Sequence, residues 1–192
     1  MNKRTVAVLA IMFGCTLASG LLSGCSKLTQ YQISEQDVNG YLAKHNNFKK
    51  DIGVPGLANA QIVVTGLASE IGRAEPNKVR LTGDAKVNID TLWGSQQANA
   101  KLTLQAQPVF DKTQGAIYLK DMQLLDYQVQ PANVETTFSA LKPYLDRSLK
   151  SYFDNTPAYT LDAGRSKNEA LAKKLAQGLE VKPGKLVIDL GY

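Results

Sequence analysis

Val79-Arg-Leu-Thr-Gly-Asp-Ala-Lys-Val-Asn-Ile89 alternates without a break. Val79, Leu81, Gly83, Ala85, Val87 and Ile89 share one face, and Arg80, Thr82, Asp84, Lys86 and Asn88 share the other. A period of two sustained over this length is that of a β-strand with one buried and one solvated side, which belongs to an antiparallel sheet. The next segment, Ala98–Pro108, repeats the pattern, with Ala98, Ala100, Leu102, Leu104 and Ala106 inward and Asn99, Lys101, Thr103, Gln105 and Gln107 outward. Flanking strands near Gln61–Ile71 and Ala116–Val129 are apolar on both sides, which predicts a bulge or two-sided burial. Turn signals at Glu75-Pro76-Asn77, Trp93-Gly94-Ser95 and Asp111 to Gly115 separate the four, giving a four-stranded meander.

On the C-terminal side, Pro131 fits a first helical position. Val134, Phe138, Leu141, Leu145, Leu149, Tyr152 and Phe153 then mark a long amphipathic helix, in which Pro143 should form a kink or a break. Tyr159–Leu161 reads as a short strand. Ser166 with Glu169 reads as a capping box whose helix closes on Gly178, and Leu186–Leu190 reads as a final strand. On the N-terminal side, Ser34 with Asp37 forms another capping box. Val38, Tyr41, Leu42 and His45 make the apolar stripe of a helix ending near Asn46-Asn47, with His45 partly buried at its end. Strands of this length extend roughly 36–40 Å, about twice the common value. A helix over 131–153 would span about 34 Å. The expected fold class is α+β: a long antiparallel meander curved around a long amphipathic helix, with shorter flanking helices. The inner face is rich in small residues (Gly83, Ala85, Ala98, Ala100, Ala106). These leave room either for close helix packing or for a guest.

The chain opens with Lys3 and Arg4, followed by an apolar run from Val6 to about Leu17, the pattern of a secretory leader. Leu22-Ser23-Gly24-Cys25 closes it and resembles the lipobox of bacterial lipoproteins, in which the cysteine is acylated and becomes the mature N-terminus. The expected organisation is a removed leader over 1–24, a lipidated tether over 25–33 and one domain over 34–192. The leader carries away two of the charges behind the formal +5. The remainder is too mild and too dispersed to point to nucleic acid. Cys15 is lost with the leader, so Cys25 is left without a disulfide partner. Several acyl chains on one cysteine give lasting attachment to a membrane.

Signals for chemistry are sparse. His45 is the sole histidine, which excludes a histidine metal cluster, and no G-x-S-x-G presents a nucleophile. Asp84, Asp90, Asp111, Asp121 and Asp126 fall on strand exteriors or turns, with no spacing that singles out a pair. The glycines form neither a dinucleotide fingerprint nor a P-loop. Lys167, Lys173 and Lys174 read as the wet face of a helix or as a contact with anionic headgroups. Trp93 is either an exposed anchor at a sheet end or a core residue covering a turn. No enzyme activity, metal or cofactor is called for.

Leu42-Ala-Lys-His-Asn-Asn-Phe48 running on to Asp51-Ile-Gly-Val-Pro55, and Ile71-Gly-Arg-Ala-Glu-Pro-Asn-Lys78, lead the segments that look familiar. Pro108-Val-Phe-Asp-Lys112 with Gly115-Ala116-Ile117, and Ala172-Lys-Lys-Leu-Ala176 leading to Val181-Lys-Pro-Gly184, complete them. Together they resemble the YceB-like envelope lipoproteins of enterobacteria over nearly the whole mature chain. That family looks like a bacterial branch of the tubular lipid-binding (TULIP) superfamily, whose domains wrap a long sheet around a long helix and hold lipid between. The resemblance implies no catalytic residue. By the same likeness, Ser26 after the cysteine implies the outer membrane, with the domain facing the periplasm. The leading expectation is a membrane-anchored protein that binds or handles a lipid, with Val134, Phe138, Leu141, Leu145, Ala100, Leu102 and Leu104 lining the groove. All seven serve an ordinary core equally well. The alternative is a non-enzymatic scaffold lipoprotein that binds another envelope protein.

Overall fold

A computed structural model describes residues 29–46, 48–54 and 58–191. The leader, Cys25, most of the tether, Pro55 and Leu57 therefore lie outside the described residues. In chain order the elements are β1 (Gln30–Ser34), α1 (Glu35–His45), β2 (Lys49–Val54), β3 (Ala58–Ile71), β4 (Val79–Thr91), β5 (Gly94–Asp111) and β6 (Ala116–Gln130). A single 3-10 turn (Ala132–Val134) leads into α2 (Glu135–Asn155), followed by β7 (Tyr159–Thr160), α3 (Lys167–Leu175), β8 (Ala176–Lys182) and β9 (Lys185–Leu190).

The four long strands form where alternation placed them, and the α+β class holds. The meander is longer than expected: six strands in the order β2-β3-β4-β5-β6-β7, all neighbours antiparallel. Along β4 every inward residue from Val79 to Ile89 in the alternating set is buried and nearly every outward one is exposed, so the pattern was set by burial on one face. β4 and β5 pair from Val79↔Ala106 to Thr91↔Gly94 without a register shift. Bulges occur in the two strands that looked apolar on both sides. β3 shifts register between Val64 and Gly66. β6 carries the extra residues opposite Thr103/Leu104 and Gln105/Gln107, where Asp121 adopts φ 52°. Turn chemistry matches the signals read in sequence. Asp111 Oδ1 accepts from the N–H groups of Thr113 and Gln114, and Gly115 follows at φ 63°, a conformation that favours glycine.

A second sheet, β1-β9-β8, caps one end of the first. The Gly184 N–H donates to the Ile71 carbonyl, Lys112 reaches Gln177, and Glu35 holds both the Ile71 N–H and Arg73. Residues 30–33, read as tether, are therefore strand: Gln30 pairs with Asp189 and Ser34 with Lys185. Gly178 is no helix cap either. α3 stops at Leu175, and Gly178 lies in β8 opposite Asp189.

The Ser34 capping box is complete, with the Ser34 side chain accepting from the Asp37 N–H and the Asp37 carboxylate accepting from the Ser34 N–H. α1 ends at His45, as expected, and buries Val38 and Leu42. His45 itself is exposed, its ring stacked on Tyr41 at 4.0 Å. Pro131 is not the first residue of α2. It follows a cis peptide bond and precedes the 3-10 turn, so α2 starts four residues later, at Glu135. Pro143 does not split α2, which runs unbroken over 21 residues and buries Phe138, Leu141, Leu145, Leu149 and Phe153 on one stripe.

Candidate functional site

The sheet's edges decide the shape of the interior. Strands lie 4.7–4.9 Å apart, so four spacings put β2 roughly 19 Å from β6 along the sheet. A helix is only about 10–12 Å across, yet α2 packs closely along β6 and also reaches β2. The sheet must therefore curl around α2, which bridges one of its flanks to the other. Hydrogen bonds fix the β6 side: Asp146 on α2 accepts the Leu124 N–H at 2.8 Å, and Lys150 holds Asp121 at 2.6 Å. The Lys150 hydrogen bond keeps the Asp121 carboxyl below the usual range. Both partners sit at the β6 bulges, so these irregularities turn backbone and side-chain groups toward the helix.

The seven residues expected to line a groove all lie within this wrap. Register sets Ala100 opposite Val129, Leu102 opposite Tyr127 and Leu104 opposite Leu124. Tyr127 in turn meets Phe138 with ring centroids 5.0 Å apart. Val134, Phe138, Leu141 and Leu145 come down from α2 into the same cluster. All seven are at most 3% exposed. They form one continuous apolar interior together with Ile62, Val64, Val87 and Ile89.

The opposite side of the wrap, where α2 meets β2, is built differently. Phe48 packs edge-on against Tyr152 at 5.2 Å, an aromatic contact joining α2 to the residue just before β2. Around it lies a recess of about 400 Å³ lined by Phe48, Lys49, Lys50, Arg147, Ser151 and Tyr152. Lys50 stands two residues after buried Phe48 and two before buried Ile52, yet is exposed and lines the recess. Among the described residues, Lys49, Lys50 and Arg147 take part in none of the ion pairs. The seam thus joins three cations to an aromatic wall. Sequence reading missed it because Lys49-Lys50-Asp51 disguises a short strand; the available signal was Phe48, Lys50 and Ile52 at a spacing of two.

The remaining candidates stay apart. Asp84, Asp90, Asp121 and Asp126 are exposed and separate, and Asp111 closes its own turn. Among the described residues no group of three His, Cys, Asp or Glu is placed to hold a metal, and no helix is long and apolar enough to cross a membrane. Trp93 is exposed rather than buried over its turn.

Comparison with known proteins bears out the resemblance read from the quoted segments. Residues 33–185 match the model of a family described as protein of unknown function (DUF1439). "Uncharacterized lipoprotein YceB" of Escherichia coli (strain K12) is 58% identical over 188 residues, covering 98% of each chain. The protein of the same name from Salmonella typhimurium (strain LT2) is 58% identical over 172 residues, covering 90% of this chain and 92% of that one. Among solved structures, a crystal structure of lipopolysaccharide binding protein aligns with 84% of this chain and 49% of its own at 10% identity. Its TM-score of 0.28 is too low to bear on fold or ligand.

Proposed function

The chain belongs to the DUF1439 family, and we propose that it is a non-enzymatic, membrane-anchored envelope lipoprotein that binds an anionic lipid between the curled sheet and α2. Acylated Cys25 is the anchor, and Ser26 directs it to the outer membrane with the domain in the periplasm. The observation that carries the reading is the bridging of β2 and β6 by one helix, which encloses one continuous apolar interior between helix and sheet. An acyl chain entering there meets Val134, Phe138, Leu141, Leu145, Ala100, Leu102 and Leu104. The headgroup is left against Lys49, Lys50 and Arg147. A guest has to displace side chains that now pack on one another, so binding requires α2 to move away from β2.

The test is native mass spectrometry with lipid extraction on a soluble Cys25→Ser form purified gently from the periplasm. Removing the anchor ensures that any lipid found is a ligand. The expected result is a bound phospholipid or fatty acid that is lost on Leu141→Trp, which fills the interior. The full burial of all seven residues favours a second reading, a closed scaffold that binds an envelope protein by its surface. A clean apo mass, unchanged after incubation with envelope lipids, selects that reading.

A further inference from the structure

The hairpin between β4 and β5 turns on two residues, Leu92 and Trp93, which are 84% and 86% exposed, far more than any other large apolar side chain described. Solvent exposure here does not reflect a loose loop. Thr91 pairs with Gly94, the Thr91 hydroxyl donates to the Gly94 carbonyl at 3.0 Å, and the Trp93 N–H donates back to that hydroxyl at 3.2 Å. One residue further down, Ser95 donates to Asp90. The turn is therefore tied, and it holds an aliphatic and an indole side chain outward at the end of the molecule. We propose that this tip seats in the headgroup–acyl boundary of the bilayer that carries the lipid anchor, so that the molecule lies along the membrane held at both ends.

Three observations select a bilayer as the occupant. The tip is only two residues, and its neighbours Asn88, Asp90, Gln96 and Gln97 are exposed and polar. A protein interface needs about 800 Å² of complementary surface per partner, whereas a bilayer boundary imposes no shape and favours indole, which is apolar with one polar edge. No lysine or arginine stands between Asn88 and Ala100, so the contact is apolar rather than electrostatic. The anchor brings the surface within reach. β4 extends about 40 Å from Val79 to the tip, and the β1-β9-β8 sheet caps the far end, where Leu190 donates to Thr29. Cys25 lies four residues before Thr29, a reach of at most about 14 Å. The capped end is thus tethered close to the bilayer, and a molecule lying on its side brings Leu92 and Trp93 to the same plane. This orientation rests on the anchor reading above; the apolar tip does not.

Trp93 is the sole tryptophan, so intrinsic fluorescence reads the tip directly. The experiment places the acylated mature protein in phosphatidylcholine vesicles, verifies flotation, and compares quenching by brominated acyl chains with quenching by aqueous iodide. Expected are a blue-shifted emission, bromolipid quenching, protection from iodide, and no change on adding salt or anionic lipid. Leu92→Ser should make the bromolipid quenching shallower. In the anchorless Cys25→Ser form, Trp93→Ala should lower vesicle partitioning about tenfold, the scale of burying one large apolar side chain. Protein that floats but keeps an iodide-accessible, bromolipid-insensitive tryptophan overturns the tip. So does quenching that appears only when a second, brominated vesicle population is added, or a blue shift that grows with protein concentration without lipid. Failure to float overturns the anchor and with it the arrangement held at both ends.

Discussion

Glu169 is fully buried, and its Oε1 is shared by three donors: the Tyr159 hydroxyl at 3.1 Å, the Asp162 N–H at 3.0 Å and Arg165. Arg165 also donates to the Tyr159 hydroxyl, so one carboxylate ties α3 to β7 and to the loop between them. Glu169→Ala would leave those donors unsatisfied and should lower stability by about 1–3 kcal/mol, read as a shift in urea midpoint. Glu169→Gln keeps an acceptor and should lose less. Equal losses would mean that charge rather than hydrogen bonding holds the cluster. The same carboxylate acts on Tyr31. Burial first, and then Glu169, push that phenol from 10.0 up to about 12, and Tyr159 is raised in the same way. A phenol that holds its proton more tightly when folded gives stability that is complete below the unfolded value and lost as pH rises. Unfolding free energy should therefore fall between pH 10 and about 12, and Tyr31→Phe should make the fall shallower. An unchanged slope would remove Tyr31 from the account.

At the scale of elements, α2 carries a proline in its interior without interruption. Pro143 is solvent-exposed and cannot donate to the Ser139 carbonyl one turn earlier. In an isolated helix such a residue costs about 3 kcal/mol; here the apolar stripe from Phe138 to Phe153 holds the helix in place. Pro143→Ala restores the missing donor without touching the core and should stabilise the protein by about 1–3 kcal/mol, seen as a higher melting temperature. A lower one would show that the proline's own packing matters. What sequence reading recovered and what it missed divide along the same line. The long strands and α2 were legible because burial on one face repeats over several turns or pleats. β1, β2 and β8 were not, because in five to seven residues they lack the run of apolar residues, Leu186-Val-Ile188, that gave β9 away at similar length. Glu169 at the third helical position looked like a capping acid. Ser166 does accept from its N–H, but the carboxylate turns inward to Tyr159, a choice made by tertiary contacts and invisible in spacing.

At the scale of the whole molecule, two surfaces should answer differently to salt. The α2–β2 seam presents Lys49, Lys50 and Arg147, each worth on the order of 1 kcal/mol beside an anionic headgroup, or about fivefold in affinity. Lys50→Glu and Arg147→Glu should each weaken retention of an anionic lipid by at least about that factor. Retention should also fall as ionic strength rises, because these groups are exposed. Native mass spectrometry across a salt series measures this, and a salt-independent lipid would move the headgroup away from the seam. Of this candidate site, the seven buried residues could be read from periodicity. Its basic rim could not, since it joins a helix to a strand far away in sequence and exists only once the sheet has curled.

The pairing of β1 with β9 bears on how the protein is made. β9 is the central strand of the small sheet, flanked by β1 and β8, and it ends at Leu190. β1 therefore has no partner until a strand some 159 residues further along the chain has been made. Such a long closure is slow to form and easily delayed. Until β9 is in place the first strand stays open, and its pairing closes the small sheet over the end of the large one.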